Sequence, residues 1–239
     1  LERIGHRVVH GGERFTAPTL ITAEVERGLE QLIPLAPLHN PPALKGLAWA
    51  RQRAPECPQW ACFDTAFRSS LPAAATTYAI PQPFRNKGLR RFGFHGINHQ
   101  HVAESVAKQW RQQGRDPAQL RLISAHLGAG ASLTAIKGGV CIDTTMGFTP
   151  LEGLVMATRS GSVDPGLLLE LMREGYDAET MADILQKESG LKGLSGLSGD
   201  MRELRTAASN GHNGGIRALN VFRHRLIQLL GAMAASLRG

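Results

Sequence analysis

Cysteine is scarce in this 239-residue chain, acidic residues are outnumbered, and no apolar run is long. The three cysteines, Cys57, Cys62 and Cys141, are odd in number and fit no metal-ligand spacing. That argues against a disulfide framework or a structural zinc site and points to reduced thiols in a cytoplasmic protein. The best apolar candidate, Leu226 to Leu237, is too short for a bilayer and is broken by Gln228, Gly231 and Ser236, so no membrane span is expected. The chain opens Leu1-Glu2-Arg3-Ile4, with no charged-then-apolar leader and no initiating Met; the expectation is a segment that begins inside a longer reading frame. Asp and Glu number 20 against 27 Lys and Arg, a formal net charge of +7. A basic balance favours anionic partners. The basic residues are scattered apart from Lys87-Gly88-Leu89-Arg90-Arg91, which reads as solvated surface, so nucleic acid is not an expected partner.

What is present suits a globular protein: 42% hydrophobic and 20% charged residues, in a length that holds one large domain or two modest ones. Ile4 to His10 reads as a buried strand running into Gly11-Gly12. Val25, Leu29, Leu32 and Ile33 fall at helical spacing. Asn40-Pro41 has the form of a helix start, a capping side chain followed by proline, and Asp164-Pro165 repeats it. Trp60 to Phe63 reads as a strand ending at Asp64. Leu71 to Phe84, with three prolines, reads as a crossing segment between two lobes, and a helix with Val102, Val106 and Trp110 on one face follows. Leu122 to His126, Leu133 to Ile136 and Val140 to Ile142 read as strands joined by glycine turns. A last long helix carries Ile216, Leu219, Leu226, Leu230, Met233 and Leu237 on one stripe. Strands and helices in alternation predict an α/β or α+β architecture.

Four segments place a polar or charged group at an apolar strand end, His6 to Gly12, Phe63 to Phe67, Arg91 to Gly96 and Ala125 to Ser132, and all but Phe63 to Phe67 set it beside glycine. A fifth, Asp143 to Gly153 with Thr158 to Gly161, packs glycines, hydroxyls, Asp143, Glu152 and Arg159 into an apolar frame. Strand ends are rigid mounts, and glycine admits close approach of a ligand. Phosphoryl transfer needs cations and N–H donors around developing charge, and Arg7, Arg159, His95 and His126 are groups of that kind. Read one at a time, the same residues have plainer roles. Arg7 fits a surface charge, Asp64 a turn cap, His99 and His101 polar residues at a helix start, and His126 to Gly130 an ordinary hairpin turn. No carboxylate stands near His95, His99 and His101 at zinc-enzyme spacing.

Taken together, HRVVHGGERF from His6, PLAPLHNPP from Pro34, FDTAF from Phe63, RRFGFHG from Arg90, HLGAGAS from His126, DTTMGFTPLEGLVMATRSGSVDP from Asp143 and SGLSGDMR from Ser195 resemble the acetate kinases, in the same order and at similar spacing. The resemblance implies an α/β, two-lobed actin-like or sugar-kinase-like (ribonuclease H-like) fold. Residues 1–70 would be the remainder of an N-terminal acyl-substrate lobe and 71–239 the remainder of a C-terminal nucleotide-binding lobe. It implies a phosphotransferase with a carboxyl acceptor, interconverting ATP and acetate with ADP and acetyl phosphate, with Mg2+ (or Mn2+), as a cytoplasmic homodimer. Asp64, His95 and Arg159 would be catalytic. Arg7, Val9, Leu38, His39, Phe94 and Pro150 would hold the acid, and His126, Leu127, Gly128, Ala129 and Gly130 the nucleotide phosphates. The β-branched Val9 implies acetate over propionate.

The sequence also departs from the family pattern. Ala129 stands where the family has Asn, Arg68 where it has His, Ile97-Asn98 where it has Thr-Ser, and Ser162 where it has Asp. The phosphate loop that opens the family lies before the region matched by Leu1, and the nucleotide and magnesium segments lie beyond Gly239. The expected metal ligands among these residues are therefore none, and the expectation is an internal fragment, truncated at both ends, with little turnover of its own. The alternatives are a propionate or butyrate kinase of the same family and a non-catalytic remnant that binds nucleotide or a partner chain.

Overall fold

The computed structural model describes residues 1–239. Strand β1 (Ile4–Val8) lies parallel to β3 (Gln59–Phe63), and the two-residue β2 (Thr19–Leu20) runs antiparallel on the other side of β3. A parallel pair needs a crossover, and here it contains α1 (Ala23–Gln31) and α2 (Asn40–Arg53). Helix α1 starts at Thr22, whose hydroxyl accepts from the Val25 N–H. Val8, Val25, Leu29, Leu47, Ala61 and Phe63 bury a core between this sheet and its helices.

The start of α2 corrects the capping expectation. Asn40 is the first helical residue and makes no cap bond; His39 occupies the cap position. The Asn40 amide, fully buried, instead donates to the His10 carbonyl and accepts from the His10 N–H, both at 3.2 Å. It thereby extends the hydrogen bonding of β1 beyond the strand and clamps α2 to it.

The proline-rich crossing stretch contains two single helical turns, α3 (Ala73–Thr76) and α4 (Gln82–Arg85), each preceded by proline. Helix α5 (Gly96–Gln112) buries His99, Ala103 and Ala107, while Val102, Val106 and Trp110 are half-buried. The deepest face is one residue off the expected stripe, because small Ala residues let the helix approach most closely along their own face. The second sheet is an antiparallel meander, β4 (Arg121–Leu127), β5 (Ala131–Lys137) and β6 (Val140–Thr144). Gly138 and Gly139 both have positive φ, +56° and +83°, as the two-residue turn between β5 and β6 requires.

Beyond it lie α6 (Pro165–Arg173), capped by Asp164 as expected, α7 (Ala178–Asp183), a π-helical turn (Ile184–Glu188), α8 (Gly190–Ser195), α9 (Met201–Ser209) and α10 (Asn213–Ser236). Met233 and Leu237 at the end of α10 join Leu133, Met146, Leu154 and Phe94 in the second core, with Leu226 and Leu230 packed on it. Leu219 packs on a separate cluster with Leu191 and Leu204, and Ile216 is exposed. The stripe thus serves two cores. No helix is long and apolar enough to cross a membrane.

Candidate active site

Parallel β1 and β3 end side by side, so the residues at their carboxyl ends are neighbours: Arg7 is opposite Cys62, Val8 opposite Phe63, and Asp64 follows at once. Asp64 is buried, and both of its oxygens are engaged by Arg7, with Nη2 donating to Oδ2 at 2.6 Å and Nε to both oxygens at 3.1–3.2 Å. The bond and charge of Asp64 raise the Arg7 pKa above its ordinary value. Asp64 is thus the group that orients Arg7. The plain reading of Asp64 as a turn cap gives way to this pair, while Arg7, its side chain 62% exposed, is a surface charge held in place by the buried carboxylate.

His95 adopts a left-handed backbone, φ +59°, at the cap position of α5. Such a conformation is costly for a residue with a side chain and persists where the surroundings impose it. They do so here. The next residue, Gly96, donates its N–H to the Asp64 carbonyl at 2.8 Å, and a Cβ at Gly96 would come within 2.3 Å of that oxygen. On the other side, buried Arg68 donates to the Phe94 carbonyl at 2.6 Å and to Cys141 Sγ at 3.5 Å. Arg68 is therefore a buried strut for the His95 segment. His95 Nδ1 lies 2.9 Å from Ser132 Oγ on β5.

His126 on β4 stacks on His95, ring centroids 4.1 Å apart, and its Nδ1 is 3.0 Å from Asn98 Oδ1. Burial pushes the His95 pKa down to about 3, helped by the charges of His126, Arg68, Arg7 and Arg159; burial and Arg7 lower His126 as well. His39 is lowered by burial and by Arg159 and Arg7, against an opposing effect of Asp64. Stacked imidazoles among guanidinium groups stay neutral at neutral pH.

The loop between β4 and β5 is Gly128-Ala129-Gly130, and neither glycine has positive φ. Room is what Gly130 supplies: a Cβ there would lie 3.3 Å from His95 Nε2 and 3.5 Å from Arg159 Nη1. The backbone N–H groups of Gly128, Ala129 and Gly130 donate to no other backbone group, and the Ala129 carbonyl accepts from Ala157 at 3.1 Å. Arg159 stands on a loop tied to the π-helical turn through Ser160 N–H to Leu185 O and Thr158 Oγ1 to Gln186 O. Its guanidinium forms no ion pair within the chain; burial lowers its pKa from the ordinary value, yet it stays charged.

Arg7, Val9, His39, Asp64, Phe94, His95, His126, Gly130, Pro150 and Arg159 line one cleft of about 610 Å³. Leu38, Leu127, Gly128 and Ala129 are not part of its wall. Leu38 is 58% exposed and faces an adjoining groove, and Leu127 is 52% exposed at the end of β4. Sequence reasoning missed Ile97, Asn98 and His101, which also line the cleft; their position in the first turns of α5, just after His95, was the available signal. His99, which reads in the sequence as a polar residue at a helix start, is fully buried. No group of three His, Cys, Asp or Glu side chains is arranged to hold a metal, and the cleft's carboxylate, Asp64, is committed to Arg7. These residues do not make a magnesium cage by themselves.

The sequence model of the acetokinase family matches residues 1–239. An acetate kinase of Synechococcus sp. is 54% identical over 234 residues, covering 98% of this chain and 57% of that protein. An acetate kinase of Deinococcus radiodurans is 50% identical, covering 98% of this chain and 58% of that protein. The crystal structure of Porphyromonas gingivalis acetate kinase superposes with a TM-score of 0.93 at 44% identity, covering 100% of this chain and 60% of that one. That of a propionate kinase from Francisella tularensis gives 0.92 at 41% identity, covering 98% and 60%. The chain therefore spans somewhat under two thirds of the length of the proteins it matches.

Proposed function

Because the chain belongs to the acetokinase family, we propose that it carries the acid- and phosphoryl-binding cleft of an acetate kinase, which interconverts ATP and acetate with ADP and acetyl phosphate by direct in-line transfer. The observation that carries this reading is the meeting of His95 Nε2 and Arg159 Nη1 at Gly130, across a cleft into which Arg7 also points. Arg159 has no partner in the chain, so an anionic ligand supplies one; an arginine fork matches carboxylate or phosphoryl oxygens. Arg7, held by Asp64, would fix the acid. His95 would donate from Nε2 to an equatorial oxygen of the phosphoryl group in flight, where a fixed donor stabilises developing charge. The free N–H groups of residues 128–130 and the His126 ring would face the nucleotide side. The two lobes would divide near residue 70. Mg2+ or Mn2+ belongs to the proposal only as a companion of ATP or ADP, since these residues show no cage for it. A cytoplasmic homodimer is part of the same reading.

Acetyl phosphate titrated into the chain by calorimetry tests it. Arg159→Ala should weaken binding about 10- to 100-fold, the value of one charge-assisted contact. Hydroxamate-trapped acetyl phosphate formed from ATP and acetate, in a protein that carries this segment at full family length, should fall sharply in both Arg159→Ala and His95→Ala. Equal binding and unchanged rates would remove the mechanism.

A propionate-directed reading has one observation in its favour, the likeness to the Francisella propionate kinase. Val9, Phe94, Ile97 and Pro150 are the apolar residues of the cleft wall. Val9→Ala should shift preference toward propionate by about 1–3 kcal/mol, read as relative kcat/KM for the two acids.

A further inference from the structure

From His95 a line of polar groups runs away from the cleft into the interior, and its other members, Ser132, His99 and Ser124, are not part of the cleft wall. His95 Nδ1 is 2.9 Å from Ser132 Oγ, Ser132 Oγ is 2.9 Å from His99 Nε2, and His99 Nδ1 is 2.8 Å from Ser124 Oγ. His99 and Ser132 are fully buried and Ser124 nearly so. The line joins α5 to β4 and β5, and its two imidazoles and two hydroxyls can be hydrogen-bonded in one of two directions. If protons point away from the cleft, His95 donates to Ser132, Ser132 to His99 and His99 to Ser124. The Ser124 hydroxyl proton is then left without an acceptor, because Ser124 Oγ has no hydrogen-bond partner other than His99. A buried donor without a partner is costly, whereas an unused lone pair is tolerated. If protons point toward the cleft, Ser124 donates to His99 Nδ1, His99 Nε2–H to Ser132, and Ser132 to His95 Nδ1, and every proton in the line is used.

We propose that Ser124, His99 and Ser132 are positioning residues, a buried hydrogen-bond line whose direction is set at Ser124 and which presents His95 to the cleft as the tautomer protonated on Nε2. The proposal rests on the reading of His95 as a donor to the phosphoryl group. A neutral imidazole with the opposite tautomer would turn a lone pair toward an anion, so the line converts a ring of ambiguous sense into a fixed donor. The low pKa of His95, with His126, Arg68, Arg7 and Arg159 around it, agrees with a ring that stays neutral while it donates.

Long-range proton–nitrogen NMR of the imidazole rings in the 239-residue chain tests it. Wild-type His95 and His99 should both show a protonated Nε2 and a bare Nδ1. Ser132→Ala should turn His95 into a mixture of tautomers and weaken acetyl phosphate binding about two- to tenfold, and Ser132→Thr should restore both. Ser124→Ala, remote from the cleft, should also release the His95 tautomer. A His95 protonated on Nδ1 in the wild type, or a tautomer indifferent to Ser132→Ala, overturns the proposal. The wild-type spectrum decides between the two tautomers even if a variant fails to fold. Absence of acetyl phosphate binding would strike the kinase reading while leaving the tautomer measurement valid.

Discussion

The two arginines of the cleft differ in what they hold when no ligand is present. Arg7 is bonded to buried Asp64, and Arg159 has no ion-pair partner. Removing Arg7 would strand a carboxylate that is 3% exposed, so Arg7→Ala should cost about 1–3 kcal/mol of stability as well as binding, a figure reduced because Arg7 itself is largely solvated. Arg159→Ala should leave the urea midpoint unchanged or raise it, since a partly desolvated cation is lost, while binding collapses. Equal destabilisation by both would show that Arg159 has a structural partner. Gly130 belongs to the same argument. Its backbone does not need glycine, but Gly130→Ala would place a methyl 3.3 Å from His95 Nε2 and 3.5 Å from Arg159 Nη1, on the spot where the ligand is expected. Binding of acetyl phosphate should fall with little change in thermal midpoint.

Among the elements, two helix starts that look alike in the sequence do different work. Asp164 caps α6 by accepting the Gly166 N–H at an exposed site, and Asp164→Ala should cost about 1 kcal/mol. Asn40 bonds both backbone groups of His10 in the interior, so Asn40→Ala leaves a buried donor and acceptor unpaired and should cost about 2–5 kcal/mol. Urea midpoints at constant m-value separate the two. The contrast explains what could be read from residues alone. The strands β1, β3, β4, β5 and β6 and the turn at Gly138-Gly139 are written in local patterns, so they were legible. So was the gathering of Arg7, His95 and Arg159, through the family resemblance of the motifs that carry them. The partners of Asn40, His99 and Arg68 were not, because each lies 25 or more residues away in sequence and a buried polar side chain carries the same letter as a solvated one. Periodicity likewise placed α5 but not its closest face, since apolar spacing alone cannot tell that Ala103 and Ala107, rather than Val102 and Val106, sit deepest.

For the molecule as a whole, the buried histidines make stability depend on pH. Burial lowers His10 to about 4, His95 to about 3 and His99 to about 2, in each case as the largest cause, against an ordinary value of 6.5. His10 shows the reason in its contacts. Its Nδ1 accepts the Gly12 N–H at 2.9 Å, and the ring stands edge-on to Phe92 and Phe94, an interior that cannot solvate an imidazolium. Above pH 6.5 these rings are neutral folded or unfolded, and they add no pH dependence. Below it the unfolded chain takes up protons that the fold refuses, so stability falls as pH drops from 6.5 toward the folded values. The loss is about 1.4 kcal/mol per pH unit for each ring that stays neutral. The chain already has a formal charge of +7 at pH 7, so further protonation adds self-repulsion in the same direction. Urea midpoints should therefore be flat between pH 7.5 and 8 and fall steeply between pH 6 and 5, before most carboxylates titrate. His99→Gln, which keeps a donor toward Ser132 but cannot gain a proton, should make the fall shallower by one ring's share. A midpoint that holds steady from pH 7.5 to 5 would mean that these imidazoles open to water far more readily than their packing allows.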